Sequence, residues 1–146
     1  MQERISRYTG LLQNLLSAKS LNFDHNLRAA LTNKPGIYRI SENSANWDSS
    51  IRIGRTKSGQ KGLQQRVYQN HYMGDQSGNI KGQLVRAGRF NTQDEAKAYL
   101  SNSCKVQFII VEDESERKWL EHFIISVLQP QAREIETAES TTSSFL

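Results

Sequence analysis

Cys104-Lys105-Val106-Gln107-Phe108-Ile109-Ile110-Val111, followed after Glu112-Asp113-Glu114 by Ser115 to Gln129, decides the fold class. The first stretch is a nearly continuous apolar run and predicts a central strand covered on both faces. The second carries Leu120, Phe123, Ile124, Val127 and Leu128 at three- and four-residue steps, with Pro130 as a stop, and predicts a helix. Working outward, Thr92 with Glu95 makes a capping box for a helix reaching Leu100. Asn79 caps a helix containing Ile80, Leu84 and Val85, ended by Gly88, and Gly74 to Gly78 reads as a turn. Gly59 and Gly62 flank Lys61, and Leu63, Val67 and Tyr68 mark another helix. Gly36-Ile37-Tyr38-Arg39-Ile40 and Ile51 to Arg55 predict an antiparallel strand pair joined by a polar loop from Ser41 to Ser50. Before the breaker Asn33-Lys34-Pro35-Gly36, a stripe of Ile5, Tyr8, Leu11, Leu12, Leu15 and Leu16 predicts a helix, and Asp24 a cap for a second one through Leu31. The sum is a small α+β sandwich.

The chain has 146 residues, enough for one modest core. No apolar run approaches the ~20 residues of a membrane span, and the N-terminus lacks the apolar core of a signal peptide. One cysteine, Cys104, excludes an internal disulfide and reads as a buried thiol in a reducing, cytoplasmic setting. Three scattered histidines give no zinc-like spacing.

Charge is unevenly spread. The net charge is +4, yet residues 134–146 hold three glutamates and no Lys or Arg, leaving 19 basic against 12 acidic residues in the body. From Arg52 to Arg89 the chain carries Arg52, Arg55, Lys57, Lys61, Arg66, Lys81, Arg86 and Arg89, with Asp75 as the sole acid. A one-sign block within structured chain repels itself, and a polyanionic partner relieves it. A solvated basic face is the plain alternative.

Some residues stand out individually. Glu121 borders the apolar face of its helix, where a carboxylate needs a rim position, an arginine or a metal. Tyr38 lies mid-strand, a position that also suits simple packing. Arg66 and His71 share one helix, His71 at its end.

Gly36-Ile37-Tyr38, then Arg52-Ile53-Gly54-Arg55-Thr56, then Leu63-x-x-Arg66, then Leu120-Glu121-His122-Phe123-Ile124 ending at Pro130, together resemble the GIY-YIG nuclease family over roughly residues 34 to 133. The resemblance implies a three-stranded antiparallel sheet flanked by helices, here with an extra N-terminal helix. The chain would divide into a helical extension (1–33), the nuclease-like domain (34–133) and a disordered tail (134–146) rich in Ser, Thr and Glu. It further implies one Mg²⁺ or Mn²⁺ per active site, held by Glu121 together with waters and a phosphate oxygen. Tyr38 resembles the general base; an unperturbed tyrosine titrates near ~10, so that role needs positive charge close by. Arg66 resembles the arginine that holds the scissile phosphate. His71 resembles an auxiliary histidine, at an uncommon offset from the arginine.

Two positions depart from the family pattern. Arg52 stands where the family has its second tyrosine, and Gln131 stands near its asparagine. The expected activity is metal-assisted hydrolysis of DNA, less often RNA, with Arg52, Arg55, Lys57, Lys61, Arg86 and Arg89 on phosphates. Specificity would come from loops, a homodimer or a partner protein, with no membrane involved and, in a bacterium, nucleoid association. The alternatives are a catalytically degenerate nucleic-acid-binding module and a protein-interaction domain with a basic face.

Overall fold

The edge strand β3 (Ser50–Arg55) and the fully buried strand β2 (Gly36–Ser41) form the antiparallel pair on which the rest is built. The computed structural model describes residues 1–59, 61–74 and 78–132. Residues 75–77 of the expected turn Gly74 to Gly78, and the tail 134–146, lie outside them. In chain order the elements are α1 (Gln2–Ser17), β1 (Leu21–Asn22), α2 (Leu27–Ala30), β2, β3, a π-helix (Gln64–Met73), α3 (Ile80–Arg86), α4 (Gln93–Ser103), β4 (Lys105–Ile110) and α5 (Glu114–Leu128). No helix among the described residues is long and apolar enough to cross a membrane.

The α+β class stands, but the sheet has four strands in the order β1-β4-β2-β3, all antiparallel, not three. The added strand is two residues long, too short to show any period, and it pairs Leu21 with Val106 and Asn22 with Lys105. Residues 1–33 thus give the sheet a strand and the core Leu12, Leu15, Phe23 and Leu27. Strand β4 is internal as expected, yet Ile110 at its end is 46% exposed, and the strand buried along its whole length is β2. Strand β1 shields only the first two residues of β4, which explains the difference.

Helix ends follow local chemistry. The side chains of Asn79, Thr92 and Asp113 cap α3, α4 and α5 by accepting the N–H of Gly82, Glu95 and Glu116. Asp24 does not cap α2. Its carboxylate accepts the Asn26 N–H at 2.9 Å in a tight turn, and α2 begins one residue after Asn26. Helix α5 ends at Gln129, a left-handed cap residue (φ 47°), and Pro130 after it cannot continue the helix.

Two apolar clusters fill the faces of the sheet. Phe23, Leu27, Tyr38, Ile40, Ile51, Leu63, Val67, Ile80, Leu84 and Leu100 lie on one, under α2, the π-helix, α3 and α4. Leu15, Ile37, Ile53, Leu120, Ile124 and Leu128 lie on the other, under α1 and α5. Strand alternation explains Ile37 against Tyr38, but Ile51 and Ile53 should share a face. A register shift between Ile40 and Ser41 breaks the alternation and lets Ile51 join the Tyr38 side together with Arg52.

Arg39 is fully buried and makes no ion pair among the described residues. Its guanidinium donates to Ser50 Oγ (2.7 Å), Gln107 Oε1 (2.7 Å), and the carbonyls of Ser44 (3.2 Å) and Asn46 (2.6 Å). Burial lowers its pKa from the ordinary arginine value. Gln107 in turn donates to the Leu16 and Ala18 carbonyls at the end of α1. One buried cation therefore fixes the 41–50 loop and, through Gln107, the seat of α1. Arg39→Met should lower stability by about 2–4 kcal/mol, because it strands four acceptors at once. Urea unfolding checks this, and a loss under about 0.5 kcal/mol, the level of a neutral surface change, would contradict it.

Candidate active site

Tyr38 and His71, 33 residues apart, meet at 2.5 Å between the phenolic oxygen and Nε2, both fully buried. Three local features arrange this. Gly54 pairs with Tyr38 across the strands, and a Cβ there would overlap the phenolic oxygen, so only glycine leaves the ring its path toward the sheet edge. The π-winding sets the second partner. An α-helix would turn Arg66 and His71, five residues apart, about 140° away from each other at about 100° per residue. The i→i+5 repeat of a π-helix brings them back to one face.

The third feature is the start of α3. The Ile80 N–H, one of the donors a helix N-terminus leaves free, donates to His71 Nδ1 at 3.0 Å. Asn79 holds this junction by donating to the Asn70 (3.0 Å) and Gly74 (2.9 Å) carbonyls at the end of the π-helix. With Nδ1 accepting, the neutral ring carries its proton on Nε2 and donates it to Tyr38. Burial, and then the charges of Arg52, Arg66 and Lys81, hold the His71 pKa well below the usual histidine value. His71 is a neutral donor here, not a base toward Tyr38.

The surroundings are cationic. Arg52 donates to Gln83 Oε1 and more weakly to the Gly78 carbonyl at 3.5 Å, and Lys81, 4% exposed, donates to the Tyr72 carbonyl at 2.6 Å. Arg66 Nε and Gln83 Nε2 are buried donors without an acceptor among the described residues. Orphaned buried donors are rare and ask for an explanation. An anion among them would supply the acceptors and offset the charge.

Glu121 is 8% exposed and bound to Arg55 at 2.6 Å, with His122 Nε2 at 3.9 Å from the same oxygen. By register Arg55 lies opposite Ile37, on the α5 side of the sheet, whereas Gly54 and Tyr38 face the π-helix side. The Tyr38–His71 and Arg55–Glu121 pairs therefore sit on alternate sides of β3. They are joined through the consecutive residues Gly54 and Arg55, whose Cα atoms are about 3.8 Å apart. Among the described residues no group of three or more His, Cys, Asp or Glu is gathered.

The other basic residues are dispersed. Arg89 serves a different cluster: it stacks on Tyr99 and Phe90, bonds Gln131 at 3.1 Å and lies 3.9 Å from Glu42. Gln131 is thereby engaged by Arg89. Lys57, Lys61 and Arg86 are exposed. Cys104 is buried and free, and burial pushes its thiol up to about 11, which leaves it an inert core residue. Sequence reasoning passed over Gly54 as a site residue, although pairing the two predicted strands tip to tip brings it near Tyr38. It also passed over Lys81, whose signal was its place beside Ile80 at the head of a capped helix. No protein-family model matches the chain, and neither a curated protein nor a solved structure matches it significantly.

Because the folded pKa of His71 is depressed, the unfolded chain binds this proton first. The stability His71 contributes is complete above about pH 6.5, the unfolded value, and is lost as pH falls below it toward the folded pKa. Between pH 7.5 and 5.5 the wild type should lose about 1 kcal/mol more than His71→Gln, read from urea midpoints. Parallel losses in the two proteins would contradict a buried neutral His71. Gly54→Ala should displace the phenol and reduce stability by about 1–3 kcal/mol, as overpacking does. A thermal midpoint and aromatic NMR spectrum unchanged from wild type would show that the ring does not use that space.

Proposed function

We propose that this chain is a divalent-metal-dependent endonuclease acting on DNA. What carries the reading is the Tyr38–His71 pair set among Arg52, Arg66 and Lys81, with two buried donors that find no acceptor among the described residues. A phosphodiester brings the acceptor oxygens and negative charge that this cluster needs. Arg66 offers its Nε to a phosphate oxygen and stabilises the charge that grows there in the transition state. Tyr38 acts as the phenolate, its own proton given up to solvent beforehand: the Nε2–H of His71 supports the negative charge on the phenolic oxygen until that oxygen takes a proton from the attacking water and becomes neutral. Arg52 occupies the place of a second tyrosine and supplies fixed positive charge instead.

Glu121 is the residue that would hold the metal. A single hard carboxylate oxygen donor fits Mg²⁺ or Mn²⁺, which keep several waters, and Arg55 would release an oxygen of Glu121 and turn to phosphate. When bound, the ion supplies charge for the phosphate and the leaving 3′ oxygen. Arg55 and Lys57 follow on the same strand and the loop after it, in reach of the flanking backbone.

A second reading is favoured by one observation: Tyr38 and His71 are fully buried and Glu121 is already paired. On that reading the scaffold binds nucleic acid without cutting it, and the buried pair is structural. Cleavage of supercoiled plasmid and of branched DNA, with and without Mg²⁺ or Mn²⁺, separates the two. Metal-dependent nicking should fall at least about 100-fold in Glu121→Ala, Arg66→Ala and Tyr38→Phe, provided the variants keep their circular dichroism. Salt-sensitive binding with no cutting under any metal would establish the binding module instead. Equal cutting by wild type and Glu121→Ala would remove Glu121 from the site.

A further inference from the structure

Gly62 lets the loop before the π-helix pack back onto the stretch that follows α2. Its backbone is left-handed (φ 72°), and a Cβ there would overlap the Asn33 carbonyl, so only glycine permits the approach. The Leu63 N–H donates to the Lys34 carbonyl at 3.1 Å, and the Gln64 N–H to the Thr32 carbonyl at 2.9 Å. The Gln64 side chain closes the seam by donating to the Arg28 carbonyl at 3.0 Å. Beside this seam lies a cavity of about 390 Å³ lined by Arg28, Asn33, Lys61, Gln64, Gln65 and Gln69. Gln64 and Gln69 both line it because the i→i+5 repeat of the π-helix puts them on one face.

The lining carries two cations and no acid. Neither the Arg28 nor the Lys61 side chain makes an ion pair among the described residues. Asp24, one turn before Arg28, has its carboxylate on the Asn26 N–H at 2.9 Å and does not line the cavity. Gln65 has a fixed orientation: its Oε1 accepts the Lys61 N–H at 2.5 Å, which leaves its NH₂ as a donor. Two like charges across one cavity repel each other, and an anion between them turns that repulsion into attraction. A phosphate has oxygens pointing in several directions and suits a guanidinium, an ammonium and an amide together.

The π-helix links this cavity to the Tyr38–His71 site. Arg66 follows Gln65 directly, yet the five-residue repeat groups Arg66 with His71 on a different face from Gln64 and Gln69. One small anion in the cavity leaves Arg66 without a partner. A polymer with a charge every ~1.7 Å of its axis serves both.

We propose that the cavity between α2 and the π-helix binds a phosphate group of a DNA strand, held by Arg28, Lys61 and the Gln65 amide. The inference rests on the nuclease reading and deepens it: the substrate is gripped at a second point, away from the reacting phosphate. Arg28 and Asn33 lie outside the stretch that resembles the nuclease family, so the N-terminal segment takes part in binding.

Arg28→Gln with Lys61→Gln removes both charges from exposed positions, where the fold does not depend on them. Anisotropy with a labelled duplex, without metal, should show this double variant binding at least about 10-fold more weakly. The slope of log affinity against log salt should become shallower by about 1, the value of one phosphate. Removing two charges elsewhere, Arg4→Gln with Lys118→Gln, should cost less than about 3-fold, because distant charges are screened. Equal losses in the two double variants, or an unchanged slope, would overturn the cavity as a phosphate site and leave the nuclease reading standing. In ¹H–¹⁵N spectra the Gln65 side-chain amide should shift with duplex at micromolar concentration and with inorganic phosphate only at millimolar concentration. Saturation by inorganic phosphate at micromolar concentration would overturn the DNA assignment in favour of a free phosphate. Failure to bind any DNA, at low salt and with Mg²⁺, would overturn the nuclease reading on which the inference rests.

Discussion

The hydrogen bond between Tyr38 and His71 is the constraint around which the site is built. It joins the central strand to the π-helix through two fully buried groups, and a buried polar pair is tolerated only when its remaining bonds are satisfied. Each nearby peculiarity serves that requirement. Gly54 opens the path of the phenol, the π-winding turns His71 inward with Arg66, and the first free N–H of α3 fills His71 Nδ1. Because the last of these is a backbone donor, it leaves the neutral imidazole one way to face Tyr38: as a donor. That assignment gives the pair its chemistry. An oxygen that accepts such a bond can carry negative charge when its own proton leaves.

Charge is then distributed by the edge strand. Arg52 turns to the Tyr38 side and Arg55 to the α5 side by plain strand alternation, while the bulge brings Ile51 onto the side of Arg52. On one side, cations gather without a carboxylate partner for Arg66 or Arg52 among the described residues; on the other, Arg55 and Glu121 neutralise each other. The folded chain thus holds its acid and its surplus of positive charge on opposite sides of β3, at Arg55 and Arg52, three residues apart. An approaching phosphate with its counterion is a partner that would engage both without leaving either charge buried and unpaired.

Much of this was legible from residues alone, for identifiable reasons. Helices α1, α4 and α5 carry long apolar stripes or side-chain caps, and β2 and β3 are bounded by Pro35-Gly36 and by polar loops. The paired strands are adjacent in sequence, so no crossover obscured them. What escaped notice was short or irregular. Strand β1 is two residues with no period of its own, and the register shift before Ser41 follows from loop closure around the Arg39 guanidinium, not from any pattern at Ile51. The π-helix carries the same residue types an α-helix would. Nothing in the sequence marks Arg39 as buried; only the fold brings Gln107, 68 residues later, beside it. At the site, Tyr38, Arg66, His71 and Glu121 were nameable by resemblance, whereas the direction of the His71 proton depended on Ile80 N–H, a backbone group that carries no sequence signal.

The most direct test of the account is the tautomer of His71, observed by long-range ¹H–¹⁵N correlation on labelled protein at neutral pH. The account predicts a neutral ring with hydrogen on Nε2 and none on Nδ1, and an Nε2–H signal that shifts in Tyr38→Phe. A proton on Nδ1, or a charged ring at neutral pH, would contradict it: His71 would then face Tyr38 as an acceptor or as a cation, and the support for negative charge on a neutral-donor basis would be lost.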